Sequence, residues 1–210
     1  MRLGVLVSGR GSNLEAVLRA EFEVAIVISN RPGVRALEAA AAHRVRWVVL
    51  QVSDFADASA RDAAIGEALS SAGVDLALLA GYDRLLRPSY FSAFGGRTIN
   101  IHPSLLPAHG GAGMVGLAVH RSVLDADDVE TGVTIHEVSA DLDGGRIIAQ
   151  SGVPVRPGDD AETLAARVLR AEHRLLVATL TSIARERPEG TPRASICGRG
   201  SAPAAPECTQ

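Results

Sequence analysis

Short apolar runs bounded by Gly, Pro or Asn alternate along the first hundred residues with longer segments whose apolar positions recur at helical spacing. That alternation builds βαβ units and a parallel sheet. The pattern predicts strands over residues 2–7, 24–29, 46–50, 76–80 and 98–101. Between them, residues 13–20, 34–42 and 59–72 are rich in Ala, Leu and Glu, good helix formers that bury one face on the sheet. Right-handed crossovers make this a Rossmann-like half. After Gly110 the pattern changes: residues 130–138 and 146–153 read as two strands joined by a turn at Asp143-Gly144-Gly145, and residues 161–187 read as one long helix. The expected fold is α/β, a single Rossmann-like open twisted sheet, mostly parallel with an antiparallel C-terminal extension and helices on both faces. Residues 1–187 form the expected domain. Residues 188–210 are rich in Pro, Gly, Ala and Ser without apolar periodicity, and are expected to be a disordered tail.

Composition narrows the class. A content of 47% hydrophobic and 21% charged residues suits a packed soluble domain. A net charge of -3 and only 3% aromatic residues leave no basic, aromatic-laced footprint for nucleic acid. Both cysteines, Cys197 and Cys208, lie in the tail, where they staple nothing in the core. The apolar run Leu3 to Val7 is too short for a secretory signal, and no stretch approaches the roughly 20 apolar residues that span a bilayer. A cytoplasmic protein is expected, with no nucleic-acid or membrane partner, as a monomer or homodimer.

Candidate chemistry sits where predicted strands end. The first strand runs into Ser8-Gly9-Arg10-Gly11-Ser12-Asn13-Leu14-Glu15, whose glycines allow close backbone approach while the next helix offers free N–H groups and its positive dipole end. That is an anion seat. Leu14 breaks the dinucleotide fingerprint and no Gly-Lys-Ser/Thr follows, so a single phosphate is the better fit. Ser12 or Asn13 acting as a plain helix cap is the alternative, and the two readings are compatible. Further on, Asn100 and His102 stand two apart in Thr98-Ile99-Asn100-Ile101-His102-Pro103 and share one face of the strand, with Ile99 and Ile101 turned to the core. Ligands of open α/β sheets bind at this carboxyl edge. The pair taken alone also suits a structural hydrogen bond. Carboxylates at Asp141 and Asp143 in a glycine-rich turn add the means to raise a histidine pKa, and an Asn amide can donate to an oxyanion. No Gly-x-Ser-x-Gly elbow is present, which disfavours an acyl-enzyme. His43, His102, His109, His120, His136 and His173 show no zinc-helix spacing, so no metal is expected. His43 and His173 fall in helices, while His120 and His136 are candidates to line a pocket.

In order along the chain, SGRGSNLEA, LLAGYDRLL, INIHPSLLPAHGG, TGVTIHEV and DLDGGRII resemble the folate-dependent formyltransferases, and among them the phosphoribosylglycinamide formyltransferases, over roughly residues 2–185. His-Pro-Ser-Leu-Leu-Pro with a later Leu-Asp-Gly-Gly marks the superfamily, and the Ser-Gly-x-Gly-Ser-Asn loop is the discriminating piece. The resemblance implies transfer of a formyl group from 10-formyltetrahydrofolate to the amine of phosphoribosylglycinamide in purine biosynthesis. It implies Gly11, Ser12 and Asn13 at the substrate phosphate, Glu172 at the ribose or glycinamide, and Asn100, His102 and Asp143 as the catalytic trio. Asp83, Arg84, Leu85 and Leu86 occupy the segment that touches the folate, as does Asn100, and Arg61 is the nearest counterpart of an arginine that contacts folate in some relatives.

This chain departs from the family pattern at Asp83, where a Met is frequent, and in the longer, glycine-rich stretch Ala108 to Met114. The tRNA-modifying relatives carry an added C-terminal domain and the folate hydrolases an added N-terminal one, and neither is expected here. Two rivals remain. A divergent binding domain would keep the loop without the trio, and a donor hydrolase would have no use for a ribose-phosphate seat.

Overall fold

The computed structural model describes residues 1–139 and 145–186. Among them a seven-stranded sheet runs in the order β3-β2-β1-β4-β5-β6-β7. Strands β1 (Leu3–Val7), β2 (Val24–Ser29), β3 (Trp47–Val49), β4 (Leu76–Leu79) and β5 (Arg97–His102) are parallel. Strands β6 (Glu130–Glu137) and β7 (Ile147–Pro154) extend the sheet antiparallel. The helices are α1 (Ser12–Arg19), α2 (Arg35–Ala42), α3 (Ala58–Ser71), α4 (Pro88–Ala93), α5 (Leu117–Asp125) and α6 (Ala161–Glu186).

The sheet is sealed on both faces. Val5, Val7, Leu78, Ile99 and Ile101 pack under α1, α2 and α6 through Leu14, Leu37 and Leu176. Leu6, Ile28 and Leu79 pack under α3 and α4 through Ile65, Leu69 and Tyr90. Burial on both faces is why β1 and β4 read as unbroken apolar runs. Each fully buried Leu or Ile contributes about 1.5–3 kcal/mol of transfer free energy. The C-terminal antiparallel pair follows a different logic: β6 is buried along most of its length between β5 and β7, while β7, at the sheet's edge, is exposed or half-buried at every position except Val153.

The chain reverses direction in the sheet at β1, whose neighbours are β2 on one side and β4 on the other. This switch point opens a crevice beyond the carboxyl ends of the strands. The expected parallel-plus-antiparallel sheet is the one observed, with element bounds shifted by a residue or two. Two helices escaped the sequence reading. α4 has only six residues, begun by Pro88 at its first turn, and α5 follows a glycine-rich stretch that hides its start. The tail beyond Glu186 and the turn carrying Asp141 and Asp143 lie outside the described residues.

Candidate active site

Gly11 is the N-cap of α1 and sits in the left-handed region at φ 77°. A Cβ there would stand 2.7 Å from both Cα and Cβ of Ala36, and the Ala36 amide donates to the Gly9 carbonyl at 3.2 Å. Only glycine lets the loop lie this close to α2. No side chain caps α1; Ser12 and Asn13 lie inside its first turn instead of capping it. The capping alternative is thereby overturned, and the first N–H groups of α1 keep their donor capacity facing the crevice. The Asn13 amide donates to Glu172 Oε1 at 3.2 Å, a buried bond that joins α1 to α6 across 159 residues. Burial pushes the Glu172 carboxyl up to about 7, while the Asn13 bond and the Arg10 guanidinium pull it down.

Two strands over, Asn100 and His102 share a face of β5 opposite His136 and Thr134 of β6. Asn100 Nδ2 lies 3.0 Å from His136 Nε2, and His136 Nδ1 lies 3.0 Å from the Glu137 carbonyl oxygen. A carbonyl only accepts, so His136 carries its proton on Nδ1 and takes the Asn100 amide proton on Nε2. This bond orients the Asn100 amide and leaves its second N–H to donate elsewhere. His102 is 5% exposed, and its Nε2 donates to the His109 carbonyl at 3.0 Å. The loop after His102 is pinned by one hydroxyl: Thr134 Oγ1 donates to Ser104 O at 2.7 Å and accepts from Leu106 N at 3.0 Å and Gln150 Nε2 at 2.9 Å.

The two regions stand level across the sheet. Leu6 pairs with Leu79 and Leu79 with Asn100, so the loop after Val7 and the Asn100–His102 pair occupy one edge, about 10 Å apart at two strand spacings. Between them the Asp83 amide donates to Ser8 Oγ at 3.0 Å, fastening the segment after β4 to the phosphate-type loop. The Asp83 carboxylate accepts from Asn30 Nδ2 at 2.8 Å and pairs with Arg31, so this position serves a polar knot between β1, β2 and β4. Of the expected folate segment, Arg84 and Leu85 are exposed, whereas Leu86 is 2% exposed and belongs to the core beside Tyr82 and Tyr90. Arg61 is 2% exposed and held by Asp62, whose other oxygen accepts from Arg87 N at 2.9 Å; it braces α3 against α4 rather than facing the crevice.

His120 is buried, and its imidazole is held below the usual histidine range by that burial first and by nearby His102 second. Its Nδ1 has no partner among the described residues. Thr134, Gln150 and the contact between His136 and Asn100 were not foreseen. The signal was present: Thr134 and His136 repeat, on β6, the two-residue polar spacing of Asn100 and His102 within an apolar strand. Among the described residues no group of three or more His, Cys, Asp or Glu forms a metal site. No described helix is long and apolar enough to cross a membrane. A cavity of about 360 Å³ lies at the opposite end of the sheet, lined by Met1, Asp75, Leu76, Arg97, Ile183 and Glu186, and contains none of these groups.

Comparison with known proteins places this architecture. The formyl transferase family model matches residues 1–180. A trifunctional purine biosynthetic protein adenosine-3 of Drosophila melanogaster is 40% identical over 180 residues, which cover 82% of this chain and 13% of that protein. The chain thus spans about an eighth of that relative's length. A phosphoribosylglycinamide formyltransferase of Haemophilus influenzae is 36% identical over 180 residues, 83% of this chain and 82% of that one. The crystal structure of glycinamide ribonucleotide transformylase 1 from Symbiobacterium toebii superposes with a TM-score of 0.83 at 40% identity, covering 89% of each chain. A family match across most of the sequence, relatives at 36–40% identity and a shared fold converge on one conclusion: the chain belongs to the formyl transferase family.

Proposed function

We propose that this protein transfers the formyl group of 10-formyltetrahydrofolate to the amine of 5-phosphoribosylglycinamide, a step of purine biosynthesis, as a cytoplasmic enzyme. What supports the reading is the alignment of an uncapped, glycine-opened helix N-terminus with the Asn100–His102 pair on one edge of the sheet. Gly11, Ser12 and Asn13 receive the phosphate through backbone N–H groups and the helix dipole. Glu172, fastened to Asn13, faces the sugar or the glycinamide. The folate enters along Asp83 to Leu86, through the exposed Arg84 and Leu85 and through backbone groups where side chains are committed elsewhere.

In this mechanism the glycinamide nitrogen attacks the formyl carbon, and the carbonyl oxygen takes up negative charge. Asn100 donates its free amide N–H to that oxygen, His102 stabilises it as a cation, and the proton lost by the attacking amine passes through water near Asp143 to the leaving folate nitrogen. The bond from formyl carbon to the folate nitrogen then breaks, with the nitrogen taking the proton. Asp143 supplies the carboxylate that favours the charged imidazole. The test is purified protein mixed with donor, with and without phosphoribosylglycinamide, following deformylated folate. Turnover that requires both supports the reading, and donor loss without the amine shows a hydrolase.

A further inference from the structure

The glycine-rich stretch after Pro107 would leave the loop beside His102 loose, yet its first residue after Ala108 is held more firmly than its composition suggests. His109 adopts φ 53°, a left-handed backbone that costs a non-glycine residue about 1–2 kcal/mol. In this conformation its carbonyl meets His102 Nε2 at 3.0 Å while its ring turns toward α5. Ring Nδ1 lies 2.8 Å from Ser122 Oγ, and Nε2 lies 2.7 Å from Asp128 Oδ2. Both partners are presented by the end of α5. Asp127 has φ 54°, Asp128 N donates to Val123 O at 3.3 Å and Asp127 N to Leu124 O at 3.1 Å, the paired bonds of a Schellman stop. The helix end therefore fixes Asp128 six residues beyond Ser122, on either side of one imidazole.

We propose that His109, clamped by Ser122 and Asp128, is a positioning residue that fixes the His102 imidazole through its own backbone carbonyl. A carboxylate accepts only, so His109 Nε2 carries a proton, and the Ser122 hydroxyl, free to rotate, donates to Nδ1 in the neutral ring or accepts from it in the charged one. The clamp thus survives either charge state of His109. The held carbonyl in turn dictates that His102 Nε2 is protonated and sets the plane in which its other nitrogen points, the kind of support that fixes tautomer and orientation of a reacting imidazole. The inference rests on the reading of His102 as the reacting imidazole, and its test separates the two.

The test is steady-state kinetics with 10-formyltetrahydrofolate and phosphoribosylglycinamide on Asp128→Ala, Asp128→Asn and Ser122→Ala, each also made with His102→Ala. The Asp128 side chain is 41% exposed, so its loss leaves the fold intact, as a thermal melt of each variant verifies. Asp128→Ala is expected to lower kcat about tenfold with both KM values within about twofold, inside the roughly 100-fold that a misplacement of 1 Å costs. Asp128→Asn, whose amide oxygen accepts the same N–H, recovers most of that loss, and Ser122→Ala lowers kcat about threefold, the scale of one neutral hydrogen bond. In the His102→Ala background Asp128→Ala adds no further loss, because the two act as one unit. Wild-type kcat in Asp128→Ala, or the same tenfold loss with and without His102, overturns the clamp. Wild-type kcat in His102→Ala alone instead removes the reading of His102 on which it rests.

Discussion

The phosphate-type loop and the β5–β6 polar face sit on the same edge of one sheet but are built by different means. The loop is made of backbone: a left-handed glycine, a close approach to Ala36 and the open first turn of α1. The β5–β6 face is made of side chains that reach across strands, Asn100 to His136 and Thr134 to Ser104, Leu106 and Gln150. A backbone site is encoded in a few consecutive residues and tolerates varied side chains. A cross-strand site depends on register between segments 16 to 36 residues apart, and one lost partner strands the others. The first arrangement suits holding an anion; the second suits aiming donors at a charge that appears only during reaction.

The largest effects should come from the side-chain face. His102→Ala is expected to lower kcat about 10²–10⁴-fold, the usual worth of a positioned acid–base group, with little change in acceptor KM. Asn100→Ala follows at about 10²–10³-fold, the cost of one oxyanion donor. Steady-state kinetics in both substrates read each effect, and a loss confined to KM would erase the proposed division of labour. The loop should answer differently. Gly11→Ala places a Cβ 2.7 Å from the Ala36 backbone at a left-handed φ, so urea unfolding should show a loss of at least about 1–2 kcal/mol, accompanied by weaker acceptor binding.

Glu172 sharpens the comparison through pH. Its folded pKa of about 7 lies above its ordinary value of 4.5, so the native state binds more protons between those limits. The stability this contributes is complete below about pH 4.5 and is lost as pH rises through 7. Glu172→Gln keeps an acceptor for Asn13 and has no carboxyl to ionise. It should melt higher than the parent at pH 8, by a difference on the order of 3 kcal/mol, and match it near pH 5. Equal melting temperatures at pH 8 would contradict the buried-carboxyl account. Leu85→Ala should be mildest, raising folate KM about threefold with kcat unchanged, since removal of one partly exposed apolar contact costs no more than about 1 kcal/mol.

The same contrast explains what the sequence made legible. The βαβ half, the glycine loop leading into α1 and the alternation of Asn100 and His102 with Ile99 and Ile101 are local patterns, and their residues stand where periodicity puts them. The clamp on His109 was not legible, because it joins a glycine-rich loop to a short helix whose start that loop obscures. A buried ion pair with its own neighbour, which Arg61 forms with Asp62, and a ligand-facing arginine look identical in one dimension. Leu86 shows the same limit: it lies in the expected folate segment, yet its side chain packs into the core.

The division of labour between the two regions is tested most directly by one calorimetric titration of the His102→Ala protein with phosphoribosylglycinamide, read beside its kcat. The account expects a dissociation constant within about threefold of the parent while kcat falls about 10²–10⁴-fold. A dissociation constant that rises in proportion to the lost activity would show that His102 holds the acceptor rather than serving the reaction, and would contradict the central claim.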